Sequence, residues 1–309
     1  MSTADPIVRP RSNSAIRLAG GQFLGNRAAL VSFAFFLTIT LACVFAPLIA
    51  PYDPVAISLS AKLKPPSFAH WLGTDYFGRD VLSRVLYGGQ LSLTVALLVV
   101  VSSTLVGVPI GLLSGFAGGR IDNLLMRTMD AFLTFPPLLL AVAIVGVLGP
   151  SIENVMLALA LVRVPVFARI VRSSTLSIRE EVYIAAARVL GASWFRIVVF
   201  HVLRNAIAPI VVQITIVFAG AIVSEASISF LGLGAQPPTP SWGRDLNEAR
   251  RYLEDAPWLL FGPAMAIMIS VLSVNFIGDG LRDALDPRAW RTLRRANAPA
   301  VDPATLPTK

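Results

Sequence analysis

Long stretches without a charged residue are the feature that most restricts how this chain can fold. Residues 28–50, "AALVSFAFFLTITLACVFAPLIA", contain no charge at all. A helix that crosses about 30 Å of hydrocarbon needs about 20 mostly apolar residues. Four uncharged stretches meet this requirement: 28–50, about 91–115, 131–150 and 257–278. Two more meet it with an interruption, 154–172 at Arg163 and 207–230 at Glu225.

Together these stretches predict an all-α membrane protein with six transmembrane helices. The first stretch is too long for the apolar core of a cleaved signal peptide, so we interpret it as a retained span. The two interrupted stretches could instead be re-entrant or interfacial segments. The composition supports a membrane protein, because charged residues make up only 14% of the chain against about 25% in soluble domains.

Several classes of ligand are excluded by composition. Basic residues exceed acidic ones by eight, but basic patches interleaved with aromatic residues are missing, so we predict no nucleic-acid partner. The only cysteine, Cys43, lies in an apolar stretch and cannot form a disulfide within the chain. The two histidines, His70 and His201, are far apart in sequence. We therefore predict neither a metal site nor a cofactor.

The distribution of Lys and Arg predicts the orientation of the chain. If the N-terminus is cytoplasmic, the loops on the cytoplasmic side hold 18 basic residues and the external loops hold seven. Basic residues concentrate on the cytoplasmic side, so both termini are predicted to be cytoplasmic. The chain then divides into a cytoplasmic N-terminal tail (1–27), the first transmembrane helix (28–50), an external segment (51–90), a core with five transmembrane helices (91–280) that includes a cytoplasmic loop (173–206), and a cytoplasmic C-terminal tail (281–309).

The cytoplasmic loop contains "EVYIAAARVLGASWFRIVVFHVLRN", residues 181–205, which we interpret as two short helices with Gly191 between them. Gly191 can adopt the left-handed conformation that ends many helices, so the chain can turn sharply after Leu190. The apolar side chains nearby could dock into a groove of a soluble partner. The alternative is an ordinary connector on the membrane surface, with its arginines near anionic headgroups.

The sequence lacks the motifs of several enzyme classes. It contains no G-x-x-x-x-G-K-[ST] phosphate loop, no H-E-x-x-H and no G-x-S-x-G. We therefore predict a non-catalytic conduit whose driving force comes from other subunits. A secondary transporter or channel that works alone is the alternative, although we find no internal repeat of the kind that many secondary transporters show.

Six short stretches carry a family resemblance: "LGTDYFGRDVLSRVLYGG" (72–89), "GFAGGRIDNLLMRTMDAFLTFP" (115–136), "FARIVR" (167–172), "AAARVLGAS" (185–193), "SEASISFLGLGAQPPTPSWG" (224–243) and "GDGLRDALDPR" (278–288). In this order and spacing they resemble the second, C-type inner-membrane permease of ABC importers of the dipeptide/oligopeptide/nickel group. The resemblance covers about residues 28 to 290. It implies the type I ABC importer permease fold, a place in the bacterial inner membrane, and import of di- or oligopeptides, with nickel or another small solute as the main alternative.

The resemblance also implies partners: a homologous second permease in a heterodimer, two cytoplasmic ATPase subunits, an external solute-binding protein, and membrane lipid. The cytoplasmic loop is similar to the family's coupling loop, whose pattern is EAA, three residues, then Gly. The residues carried over to that loop are Ala185, Ala186, Ala187, Arg188, Gly191 and Arg196. Ala185 replaces the usual Glu, and Arg204 replaces the usual Pro. Arg188 and Arg196 could therefore supply charged contacts of the opposite sign.

Two polar residues within the predicted spans are candidates for the translocation path. An Arg near a helix centre costs about 2.5–3.5 kcal/mol on insertion scales, so Arg163 is expected to face the bundle interior or a water-filled path. It could meet a peptide carboxylate, or it could snorkel or pair with Glu225. Glu225 could line the external mouth, or cap or pair within the bundle.

The external segments are candidates for contact with the binding protein. The second half of 51–90 could lie along the membrane surface before the next span. Within 231–256, "DLNEARRYLED" is predicted to be a short, solvent-facing helix. Trp242, Asn247 and Glu254 are the docking candidates there.

Overall fold

The computed structural model describes residues 20–285, and the regular elements in that range are helices. One isolated β-bridge pairs Thr74 with Asp80. The all-α class predicted from the sequence is therefore confirmed for this range. Most of the two predicted cytoplasmic tails, residues 1–19 and 286–309, lies outside it.

The main helices are α1 (Arg27–Val44), α2 (Ala46–Ile49), α3 (Val81–Ala117), α4 (Gly119–Leu133), α5 (Pro137–Leu148), α6 (Ile152–Arg179), α7 (Val182–Val189), α8 (Trp194–Ile197), α9 (Arg204–Phe230), α10 (Trp242–Ala249) and α11 (Trp258–Leu285). Residues 20–25 are also helical. A π-helix, Val198–Leu203, joins α8 to α9, and 3-10 turns occupy Leu59–Ala61 and Arg250–Tyr252.

Five helices in the described range are long and apolar enough to cross a membrane: α1, α3, α6, the helix of residues 194–230, and α11. A sixth crossing is present if α4 and α5 together form one span, although their axes meet at 86°. The predicted number of six therefore depends on this bent pair.

The bend between α4 and α5 has a local cause in the sequence "TFPP". Pro136 and Pro137 lack a backbone N–H, and each disfavours a helical conformation of the residue before it. Helix α4 consequently ends at Leu133, and Pro137 starts α5. The predicted span 131–150 therefore covers the last residues of α4 and all of α5, and it contains the bend of 86° between them.

Helix α3 begins earlier than its apolar stretch. The Asp80 carboxylate caps the helix by accepting a hydrogen bond from the Ser83 backbone N–H at 2.8 Å. The helix has 37 residues, which corresponds to about 55 Å, well beyond the hydrocarbon thickness of about 30 Å. Residues 81–90 therefore form the first turns of this helix and not a separate surface segment.

Helices α3 and α6 run parallel and pack closely along a row of small residues. Gly107, Gly111 and Gly115 face α6, and a Cβ atom added to Gly111 would lie 2.5 Å from the Ala168 carbonyl oxygen. Small residues at every fourth position allow two membrane helices to approach this closely. The contact runs along α3 from Gly107 to Gly115, two residues before the end of the helix.

The two predicted polar loops lie at opposite ends of the helix of residues 194–230. Helix α7 precedes this helix and α8 forms its first turn, whereas α10 follows it. The first end is called the hinge end below, and the second the α10 end.

Candidate functional site

The hinge segment, residues 182–197, reverses the chain between α6 and α9. Gly191 has φ +78°, so the predicted left-handed conformation is confirmed. Its N–H donates to the Arg188 carbonyl oxygen, and the Ala192 N–H donates to the Ala187 carbonyl oxygen, both at 3.0 Å. These two bonds form a Schellman motif, which ends α7 and directs the chain into α8.

The inner face of the hinge segment is anchored in the bundle. Ile184 and Ile197 are both buried and belong to one apolar cluster with Phe167 and Val171 of α6. The Ser193 hydroxyl accepts the Arg196 backbone N–H and caps α8. The segment is therefore a packed part of the fold and not a loose connector.

The outer face of the hinge segment is apolar and exposed. Val189 and Leu190 are 88% and 86% exposed, and Val182 and Phe195 are also exposed. Ala185, Ala186 and Arg196 lie on the exposed side as well, and Ala187 is half-buried. Contiguous apolar surface of this kind at a helix–turn–helix is typical of a protein-binding site.

Phe116, near the end of α3, connects the hinge segment to the membrane helices. The Arg188 guanidinium lies over its ring at 5.1 Å, and the Trp194 ring meets it edge-on at 5.8 Å. Arg179 donates to the neighbouring Gly115 carbonyl oxygen at 2.9 Å. Arg188 is exposed and its guanidinium group also packs on Phe116, so its charged contact with a partner stays a prediction. Phe116 was not among the predicted site residues, because nothing in the local sequence pattern marks it.

The structure places Arg163 and Glu225 in different environments. Arg163 is half-buried and donates to the Ser224 hydroxyl at 3.2 Å, next to Gly220, which leaves room for the guanidinium group. Glu225 is fully buried and accepts a hydrogen bond from the Ser229 hydroxyl at 2.7 Å. Within residues 20–285 no ion pair joins the two side chains. Glu225 therefore does not line an open path in this conformation, whereas Arg163 is accessible.

At the α10 end, an ion-pair cluster joins the start of α3 to α10. Its members are Asp75, Arg79, Arg84, Arg244, Asp245 and Glu248. Arg79 contacts Asp75 at 2.6 Å and Glu248 at 2.5 Å, while Arg84 pairs with Asp245. Arg244 contacts Glu248 at 2.7 Å. The paired groups are largely buried, so removal of one partner is expected to be strongly destabilising.

This cluster corrects the prediction of a solvent-facing helix. Two of the charges on α10, Asp245 and Glu248, are turned inward because Arg79 and Arg84 lie on the opposite wall. Burial raises the pKa of Asp245 to about 6, and Arg84 offsets part of that effect. Burial also acts to raise the pKa of Glu248, but the guanidinium groups of Arg84, Arg79 and Arg244 outweigh it and lower that pKa.

The three docking candidates are placed differently. Trp242 is fully buried, and its indole N–H donates to the Val85 carbonyl oxygen at 2.9 Å. It is therefore a packing residue, and its prediction as a docking residue is wrong. Asn247 is half-buried and donates to the Phe230 carbonyl oxygen. Glu254 is exposed. No group of three or more His, Cys, Asp or Glu side chains in the described range could hold a metal ion.

Comparison with known families gives two matches along the chain. Residues 107–291 match the binding-protein-dependent transport system inner membrane component. Residues 14–66 match the N-terminal transmembrane domain of oligopeptide transport permease C.

Similar proteins are known from several bacteria. The dipeptide transport system permease protein DppC of Alkalihalophilus pseudofirmus is 43% identical, with 92% of this chain and 97% of that protein covered. The di/tripeptide transport system permease protein DppC of Pseudomonas aeruginosa is 45% identical, with 86% and 90% covered. The glutathione transport system permease protein GsiD of Pectobacterium atrosepticum is 40% identical, with 92% and 95% covered.

The fold is similar to that of a solved ABC transporter. A chain of the MetNI methionine ABC transporter, in an inward-facing conformation, superposes with a TM-score of 0.54 at 17% identity. The match covers 66% of this chain and 96% of that chain. The helical arrangement is therefore like that of a type I ABC importer permease.

Proposed function

The chain belongs to the family of binding-protein-dependent transport system inner membrane components, and we propose that it forms, with a homologous second permease, the path of an ATP-driven importer for di- or oligopeptides. The substrate class is supported by relatives above 40% identity that are named for dipeptide and di/tripeptide transport. Nickel or another small solute is the alternative within the same architecture.

The hinge segment is the proposed docking site for the ATPase subunits. The observation that carries this proposal is its exposed apolar face, with Val189 and Leu190 almost fully exposed, on a turn that Gly191 fixes. An amphipathic helix with one anchored and one exposed apolar face fits a groove on a soluble partner. Arg196, on the exposed side, would add a charged contact.

The contact of the hinge segment with Phe116 would transmit movement of the docked ATPase to the membrane helices. Movement of α7 and α8 would act on the end of α3 through the Arg188 and Trp194 side chains, which both contact Phe116. Since α3 and α6 are packed along their glycine row, they would move together. ATP hydrolysis would then be a property of the partner subunits, with this chain as the non-catalytic path.

In this proposal the hinge end, with both chain termini, faces the cytoplasm of a bacterium, and the α10 end faces outside the inner membrane. The excess of basic residues in the cytoplasmic loops supports this orientation. Glu254 and, to a lesser extent, the half-buried Asn247 would contact the solute-binding protein. Arg163 would line the path near the middle of the membrane.

Reconstitution in proteoliposomes tests the proposal. The chain is combined with its second permease, the ATPase subunits and the binding protein, and uptake of a labelled dipeptide is measured with ATP and with a non-hydrolysable analogue. We expect uptake only with ATP, and no ATP hydrolysis by this chain alone. Peptide uptake without ATPase subunits would contradict the proposal and indicate a secondary transporter. ATP-driven uptake of labelled nickel, without uptake of the dipeptide, would favour the alternative substrate.

A further inference from the structure

A cavity of about 670 Å³ lies beside the ion-pair cluster at the α10 end. We propose that it is a peptide-receiving site on this chain, in which the Asp245 carboxylate binds the terminal ammonium group of a short peptide. The peptide class rests on the proposed function, whereas the site itself rests on the contacts described next. Its volume falls in the range of about 300–1,000 Å³ that is typical of small-molecule sites.

The walls of the cavity combine charge with apolar surface. The ion-pair cluster lines one side. The turn of residues 232–238 and the stacked rings of Tyr76 and Tyr252, with centroids 4.8 Å apart, contribute apolar surface. An apolar enclosure with a few charged groups is the usual composition of a site that orients a small ligand.

One charged oxygen atom in this cluster is left without a partner. Arg84 Nε and Nη2 both donate to Asp245 Oδ1. Asp245 Oδ2 is buried and has no hydrogen-bond partner among the described residues, on a side chain that is only 10% exposed. A buried acceptor without a donor is costly, so a ligand that brings donors to Oδ2 would be stabilised there.

The chemistry of the cluster selects an ammonium group for this position. The three arginines are already engaged with acidic partners, so the unused capacity is an acceptor and calls for a cationic donor. A metal ion is disfavoured because no metal-binding group of acidic or histidine side chains is found in residues 20–285. A primary ammonium group offers three donors and a full positive charge.

Arg251 supplies a counterpart for the other end of a peptide. It also lines the cavity, is exposed, and forms no ion pair with any described acidic residue. Asp245 and Arg251 thus give the cavity one anionic and one cationic group, which match the two charged ends of a short zwitterionic peptide.

The site predicts a particular pH dependence. The charged groups that act on Asp245 are Arg84 from α3, Arg79 from the preceding loop and Glu248 from α10 itself, and Asp75 lies 3.9 Å from the Arg84 guanidinium group. The pKa of Asp245 is about 6, whereas that of Glu248 is lowered, so Asp245 is the group expected to titrate near neutral pH. Ammonium binding requires the carboxylate form, so affinity should rise as the pH rises from about 5 to about 7.

The test measures equilibrium binding of labelled dialanine to the purified full chain in lipid nanodiscs. N-acetyl-dialanine lacks the ammonium group, and dialanine amide lacks the carboxylate. We expect N-acetylation to weaken binding by about tenfold or more, since a charge-assisted hydrogen bond is lost. Asp245→Asn should have the same effect and should remove the pH dependence, whereas the matched variant Asp255→Asn, exposed and outside the cavity, should bind like the parent.

Arg251→Gln tests the carboxylate end of the ligand separately from the ammonium end. It should weaken binding of dialanine but leave binding of dialanine amide unchanged. If Asp245→Asn does not fold, the comparison of dialanine with its acetylated form on the parent chain still decides the question.

Two results would overturn the inference: equal affinity of the parent for dialanine and N-acetyl-dialanine, or no retention of dialanine at millimolar concentration. Either result could occur while ATP-driven peptide uptake by the complete transporter remains intact, which would leave the proposed function standing. Ammonium-selective binding without any ATP-driven peptide uptake would instead contradict the proposed function, while the proposed binding site would still be supported.

Discussion

Substitution of Gly191 tests the assignment of the hinge segment most directly. Gly191 has φ +78°, and a Cβ atom added to it would meet no described atom within 4 Å. The main cost expected for Gly191→Val is therefore backbone strain, about 1–2 kcal/mol for an L-residue in the left-handed region. If the hinge must hold this turn to dock, the population competent for docking falls by a factor of about 5–30.

Gly232 provides a matched control. It has φ +84°, and it also has open space around an added Cβ atom. Its N–H donates to the Ser229 carbonyl oxygen and the Leu233 N–H donates to the Ile228 carbonyl oxygen, which is the same Schellman motif. Gly232→Val should thus impose similar strain at the end opposite the hinge.

The assay is titration of the ATPase subunits onto the permease pair in nanodiscs. We expect Gly191→Val to reach the membrane in normal amounts and to bind the ATPase about 5- to 30-fold more weakly, with a matching loss of ATP-driven uptake. Gly232→Val should bind the ATPase like the parent. Parent-like ATPase affinity of Gly191→Val, or an equal loss in both variants, would refute the coupling assignment and leave the segment as a connector.

Three further outcomes are expected. Phe116→Ala should leave ATPase binding nearly intact but lower peptide uptake per bound ATPase, because the contact between hinge and α3 is lost; parallel losses of binding and uptake would contradict this. Arg84→Gln should lower the free energy of unfolding by about 3–5 kcal/mol, since Asp245 is left as a buried carboxylate without its partner. An unchanged thermal midpoint would show that the ion-pair cluster does not stabilise the fold. Glu254→Cys should react with an impermeant thiol reagent added outside, and the binding protein should shield it from the reagent. Native Cys43 is buried and should not react. Labelling only from the cytoplasmic side would reverse the proposed orientation.

The sequence by itself determined the helical class, the approximate position of each span and the turn at Gly191. These features depend on local properties. An apolar stretch of about 20 residues must satisfy its backbone within itself in a membrane, and a glycine after a short helix permits the left-handed cap. The bend at Pro136 also has a local cause in the sequence, but the length and hydropathy of the stretch alone do not predict it.

Only the tertiary structure decided which polar groups meet. Arg84 and Asp245 are 161 positions apart, and the charge pattern of α10 alone is equally consistent with a solvent-facing helix. Trp242 became a core residue because the glycine-rich start of α3 leaves space for its ring, where Gly89 lies against it. The side of the hinge segment that is exposed also depends on how Ile184 and Ile197 pack in the bundle. Such choices follow from packing between distant parts of the chain, for which local propensity carries no information.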